Sequence, residues 1–110
     1  DGSYPLVYGT HVDARGAARH IAGSDIDLSA IGEWTSARTG TTWPSGWRLA
    51  IAALGLEVTI QPEVLDQELD TRATTGVIYW EGASRVAGSR NGRPITGRAY
   101  VELTGYARAR

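Results

Sequence analysis

The stretch from Gly76 to Tyr106 limits the possible folds of this chain more than any other segment. Gly76-Val-Ile-Tyr-Trp-Glu-Gly-Ala83 and Gly97-Arg-Ala-Tyr-Val-Glu-Leu-Thr-Gly-Tyr106 lie on either side of Asn91-Gly92. Both arms are rich in Val, Ile, Tyr, Trp and Thr, and Asn-Gly best tolerates the two positive φ angles of a type I′ turn. One long β-hairpin is therefore predicted. With Asn91 and Gly92 as the loop, residue i of one arm faces residue 183 − i of the other. Glu81 then stands opposite Glu102 and Arg85 opposite Arg98, with Tyr79, Tyr100 and Tyr106 on the same face. Directly opposed like charges destabilise a sheet, so this face must be either a charge network or a site.

The rest of the chain repeats the strand pattern between turn signals, with no long segment of helical period. Leu6 to His11 reads as a strand turned by Asp13-Ala-Arg-Gly16 into Ala18 to Ile21, and Ile26 to Trp34 reads as the next. Trp47, Leu49 and Ile51 alternate with Arg48 and Ala50. Leu56, Val58 and Ile60 alternate with Glu57, Thr59 and Gln61, Leu54-Gly55 marks the hairpin between these two strands, and Pro62 stops the second run. Six or seven strands in sequential hairpins predict an all-β, antiparallel up-and-down meander closing into a barrel or half-barrel, which removes exposed edges. Two segments read as loops: Thr35 to Ser45, an irregular lid or rim around Trp43, and Glu63 to Thr75, a solvated acidic connection carrying Asp66, Glu68 and Asp70 with room for one helical turn.

Composition narrows the functional classes. A chain of 110 residues is one domain, and its 14 glycines with many Thr and Val favour the all-β class. A net charge of −1 supplies no field for a phosphate backbone, so nucleic acid is not an expected partner. Cysteine is absent, and His11 and His20 are the only imidazoles and lack ligand spacing, so no metal site is expected. No apolar run is long enough for a membrane-crossing helix, which points to a soluble domain.

Several short blocks resemble the C-terminal, lipocalin-like half of the carotenoid 1,2-hydratase (hydroxyneurosporene synthase) family and its predicted secreted hydrolase relatives. They are Trp34-Thr-Ser36, Gly40, Trp43-Pro-Ser-Gly-Trp47, Gln67-Glu-Leu69, Tyr79-Trp-Glu-Gly82, Gly97-Arg98 and Tyr100-Val-Glu-Leu-Thr-Gly-Tyr106. The family pattern often has Tyr where this chain has Trp43. The resemblance covers about the last two-thirds of the chain. It implies a lipocalin-like barrel or half-barrel that is the C-terminal half of a larger protein, partnered by an N-terminal lipocalin-like domain. It also implies an apolar small-molecule ligand, alkene hydration without a cofactor, and a bacterial envelope or secreted location where contact with a membrane is open to it. A non-catalytic envelope or lipid-handling module is the alternative it allows.

Hydration of an unactivated alkene starts with a proton delivered to carbon from a neutral carboxylic acid in a dry pocket. Two carboxylates forced together share one proton, and Glu81 with Glu102 is the candidate pair. The rings of Tyr79, Tyr100, Tyr106 and Trp80 are candidates to stabilise a carbocation through their π faces. The structural reading is that Arg85, Arg98 or Arg48 reaches diagonally to each carboxylate as an ion-pair lattice, or that a bulge at Gly82 or Gly97 breaks the register. Ile78, Trp80, Val86, Val101 and Leu103 form the opposite face of the hairpin. An acid catalyst would turn the Glu and Tyr face inward, a lipid carrier the apolar one. Trp34, Trp43 and Trp47 either line a ligand mouth or pack the core.

Overall fold

The computed structural model describes residue 4 and residues 6–107. It is an all-β antiparallel architecture, 56% strand and 6% helix, as the alternating pattern predicts. The strands are β1 (Gly9–Val12), β2 (Ala18–Ile21), β3 (Ile26–Ala30), β4 (Glu33–Thr35), β5 (Thr42–Pro44), β6 (Trp47–Ile51), β7 (Leu56–Pro62), β8 (Glu68–Asp70), β9 (Ile78–Arg90) and β10 (Arg93–Leu103). The main sheet has six strands in the order β10-β9-β7-β6-β3, with β8 also on β9, and it curls into a half-barrel. The pairs β1-β2 and β4-β5 form separate two-stranded ribbons.

Among the described residues ten strands replace the expected six or seven, and three local features account for the difference. The predicted run Ile26 to Trp34 breaks at Ile31-Gly32, where Ile31 N–H donates to the Gly46 carbonyl (2.9 Å) and Ser45 N–H donates to the Gly32 carbonyl (2.8 Å). Any Cβ on Gly32 would run into the Ser45 carbonyl, so only glycine lets the two segments approach this closely. The expected lid from Thr35 to Ser45 is instead a hairpin, with Trp34 paired to Trp43 and Thr35 to Thr42. The expected solvated connection Glu63 to Thr75 contains β8, whose Glu68, Leu69 and Asp70 pair with Trp80, Tyr79 and Ile78.

The long hairpin forms in the predicted register. Arg93 faces Arg90, Arg98 faces Arg85, Glu102 faces Glu81 and Leu103 faces Trp80, without a bulge at Gly82 or Gly97. Asn91 (φ 50°) and Gly92 (φ 78°) supply the two left-handed positions of the turn. The Leu54-Gly55 hairpin also forms, through a 3-10 turn closed by Gly55 at φ 60°.

Register decides which face is core, because paired residues share a face and the side-chain period is two. Ile78, Trp80, Val101 and Leu103 lie on the same side as Ile60, Trp47, Leu28 and Ala30. That side packs on a cluster of Trp43, Trp47, Ile78 and Trp80, with Trp34 beside it. The Trp47 and Trp80 rings meet edge-on at 6.1 Å. Burying each such side chain contributes about 1.5–3 kcal/mol or more, so the β4-β5 ribbon is held to the sheet by its tryptophans.

β9 needs partners along its whole length, and three elements supply them on the side away from β10. β7 covers Ser84–Arg90 and β8 covers Ile78–Trp80. Between them the Gln67 side chain stands in for a strand: its Oε1 accepts from Ala83 N–H (3.0 Å) and its Nε2 donates to the Ala83 carbonyl (3.2 Å). The carboxamide lies where a Cβ of residue 82 would be, which is why Gly82 belongs there.

Candidate functional site

The face of the hairpin away from the core carries Tyr79, Glu81, Arg85, Arg98, Tyr100 and Glu102. Glu81 is half-buried, Glu102 is exposed and directly opposite it, Tyr79 is half-buried, and Tyr100 is 69% exposed. The two carboxylates are therefore brought together by register, beside two tyrosines. The expected ion-pair lattice does not form around them. Arg85 turns to Glu63 on the neighbouring segment (3.3 Å) and Arg48 to Glu57 across the β6-β7 pair (3.7 Å). Among the described residues neither Glu81 nor Glu102 has an ion-pair partner.

The same face continues across β7 and β6, where Arg48, Glu57, Thr59, Ala87 and Ser89 surround a groove of ≈ 420 Å³. Ile31 closes one side, and Val58 and Gly88 complete the lining. This groove is open and partly apolar, so the face has relief that a ligand could occupy.

The aromatic candidates divide between the two faces. Trp43 (0% exposed), Trp47 and Trp80 are core residues, not rim residues. Tyr106 does not share a face with Tyr79 and Tyr100, contrary to the expectation from strand period. β10 ends at Leu103, and Gly105 at φ 84° turns the chain so that the Tyr106 ring packs on Trp43 at 5.7 Å. Partial burial, with a hydrogen bond donated to the Tyr4 hydroxyl second, pushes the Tyr106 phenol up to about 12. Tyr4 in turn accepts from Trp47 Nε1–H (3.1 Å), so an aromatic chain links the C-terminal turn to the core. The folded protein holds the Tyr106 proton after the unfolded chain, with an ordinary phenol near 10, has lost it. This contribution to stability is complete below about pH 10 and is lost as pH rises towards about 12. Ultraviolet titration of tyrosinate should show one late-ionising phenol that is absent from Tyr106→Phe. A wild-type curve superimposable on that of the variant, after scaling for one phenol, would reject the assignment.

The most completely buried carboxylate is one that sequence reasoning placed in a solvated loop. Because Glu68 pairs with Trp80, it shares the core face, and its side chain is wholly inaccessible. Ser36 Oγ donates to its Oε1 (2.8 Å), while Thr39 Oγ1 and Trp43 Nε1 donate to its Oε2 (2.8 Å each). Arg38 lies at 3.6 Å and makes its closer pair with Asp66 at 2.7 Å. Ser36 Oγ also accepts from the N–H groups of Arg38 and Thr39, which fixes the β4-β5 loop around the carboxylate. Both Glu68 oxygens accept hydrogen bonds and the side chain is closed to solvent, so this knot acts as an anchor. The sequence signals for it were the period-two spacing of Asp66, Glu68 and Asp70 and the hydroxyl-rich run from Ser36 to Thr41. Asp70, at the end of β8, is paired at the surface with Arg72, whose hydrogen bond holds its carboxyl below the usual range.

The blocks containing Trp34, Ser36, Gly40, Trp43, Gln67, Glu68, Trp80 and Gly82 thus converge in space, on the Glu68 knot and the Gln67 bridge. The chain is similar to an AttH protein of Nitrosomonas europaea, with 39% identity and a TM-score of 0.71 over 90% of this chain and 29% of that one. It also has the fold of part of kievitone hydratase from Nectria haematococca, at 22% identity and a TM-score of 0.72, over 88% of this chain and 29% of that one. The chain therefore spans less than a third of either structure. Among curated proteins there is no match. No helix among the described residues is long and apolar enough to cross a membrane. The AttH-like family model matches residues 1–106, and with the knot and bridge built from those residues, the chain belongs to the AttH-like family.

Proposed function

We propose that this domain supplies one wall of an apolar-ligand site in a hydratase-type protein, as the C-terminal, lipocalin-like half of a longer polypeptide partnered by an N-terminal domain of the same kind. The observation that carries the reading is the opposition of Glu81 and Glu102 beside Tyr79 and Tyr100, on the sheet face that the tryptophan core leaves free. Likeness to a protein named as a hydratase supports the reaction class, through fold alone.

In this reading the substrate is an isoprenoid or similar lipid with a trisubstituted alkene. The half-buried Glu81, opposite Glu102, transfers a proton to the less substituted alkene carbon. The tertiary carbocation that forms lies against the Tyr79 and Tyr100 rings. Water adds to the cation, and the carboxylate pair takes the released proton, so the net change is addition of one water and no cofactor is required. The partner domain would have to cover the face, since Glu102 and Tyr100 are exposed in this chain and proton transfer to carbon needs water excluded. That same exposure favours a second reading, a non-catalytic envelope or lipid-handling module whose charged face is structural.

Incubating this chain, and a longer polypeptide containing it, with such an alkene in ¹⁸O-labelled water tests the proposal. A labelled tertiary alcohol is expected from the longer polypeptide, with Glu81→Gln and Glu102→Gln each slowing its formation by about 100-fold or more. Full activity of both variants would leave the carrier reading.

A further inference from the structure

Strand β10 has 11 residues and, among the described residues, pairs only with β9, so it is a free edge of the main sheet. A long edge with unpaired N–H and C=O groups is a template for another strand. The hairpin determines which groups face outward. A two-residue loop leaves Arg90 and Arg93 as a hydrogen-bonded pair, and bonded and non-bonded pairs alternate from there. Pro94, Thr96, Arg98, Tyr100 and Glu102 therefore direct their backbone groups to the open side. Pro94 fits this assignment, because its missing N–H falls where no strand is paired.

The side chains of those residues lie on the face away from the core, and their charges are mismatched within the sheet. Arg98 faces Arg85 and Glu102 faces Glu81. Among the described residues neither Arg98 nor Glu102 forms an ion pair. Both flank Tyr100, one of the most exposed large side chains.

We infer that β10 pairs antiparallel with β10 of a second copy, about a twofold axis through Tyr100. Residue i then faces residue 200 − i of the second copy, so Arg98 stands opposite Glu102, Glu102 opposite Arg98, and Tyr100 opposite itself. The residues brought together are those whose backbone groups point outward, so the ladder closes with reciprocal hydrogen bonds. Centring the axis on Arg98 or on Glu102 would oppose like charges. The Tyr100 axis supplies each mismatched charge with an opposite one, in a cross-strand position where such pairs stabilise. The interface is isologous and joins two half-barrel sheets edge to edge. It stands on the strand edge and its charges, independently of the hydratase reading.

Sedimentation and mass measurement of this chain should show a dimer that weakens with salt. Arg98→Glu and Glu102→Arg should each raise the dimer dissociation constant by about tenfold or more, and the double exchange should return it to within about threefold of the wild-type value. Each single exchange places opposite charges across β9 and β10, so the fold should melt no earlier than wild type and dimer loss cannot come from misfolding. Cysteine is absent from the chain, and Tyr100→Cys should cross-link two copies, since a hydrogen-bonded antiparallel pair sets Cα atoms about 5.5 Å apart. Thr96→Cys, which faces residue 104 of the second copy, should not. A monomer at all concentrations, failure of the double exchange to rescue, or equal cross-linking by both cysteine variants would overturn the inference. So would a longer, monomeric polypeptide in which the outward β10 amides are protected from hydrogen exchange by another segment.

Discussion

Truncating Glu68 to Ala is expected to cost about 3–5 kcal/mol, a large fraction of the roughly 5–15 kcal/mol that holds a domain of this size together. The loss would come from three donors, on Ser36, Thr39 and Trp43, left facing a void in the core. A buried donor without an acceptor loses its hydration and gains nothing in return, at about 1–3 kcal/mol each in the worst case. Glu68→Gln should cost less, about 1–3 kcal/mol, because one oxygen still accepts from Trp43 and Thr39. Its amide must then occupy the position between Ser36 Oγ, which already accepts two backbone N–H groups, and the Arg38 guanidinium. Urea unfolding of the two variants measures both costs. A loss below about 1 kcal/mol for Glu68→Ala would mean that the knot follows the fold and does not hold it.

The contrast between Glu68 and the long hairpin shows what the sequence carries plainly and what it does not. The hairpin was legible to the residue because its determinants are local. Asn91-Gly92 fixes the turn, a two-residue turn fixes the register, and alternation then fixes which side chains share a face. The opposition of Glu81 with Glu102 and of Arg85 with Arg98 follows without tertiary information. Glu68 could not be read that way. Its strand has only three residues, lies among acidic neighbours, and acquires its inward direction solely by pairing with Trp80, twelve positions further on. Its partners come from a loop about thirty residues earlier, and no local rule connects the two segments.

The tryptophans fall between these cases. Alternation placed Trp80 on the apolar face correctly, but Trp43 sat in a Gly-, Ser- and Thr-rich segment that looked irregular, and the β4-β5 hairpin that buries it depends on the Trp34-Trp43 pairing. Tyr106 was misplaced for a comparable reason. The period of two does not extend past Leu103, where the strand ends and a left-handed glycine redirects the chain. The candidate carboxylate pair was thus predictable in position but not in environment, since which face is core is set by where the β4-β5 ribbon packs.

Replacing Trp43 is the second change expected to have a large effect, and it separates the two roles that the sequence left open for this residue. If Trp43 gripped a ligand at a rim, Trp43→Ala would weaken binding and leave stability almost unchanged. As a fully buried side chain that contacts Tyr106 and donates to Glu68, it should instead cost about 3–5 kcal/mol from the lost burial and the cavity alone. Trp43→Phe keeps most of the ring volume and removes the indole N–H, so its smaller loss reports mainly the hydrogen bond to Glu68. The two residues are in contact, so their costs should not add. The Trp43→Phe, Glu68→Gln double variant should be less destabilised than the sum of the single changes, by about 0.5–3 kcal/mol. Strict additivity would show that the indole and the carboxylate act independently. A Trp43→Ala protein as stable as wild type would return Trp43 to the ligand-facing surface.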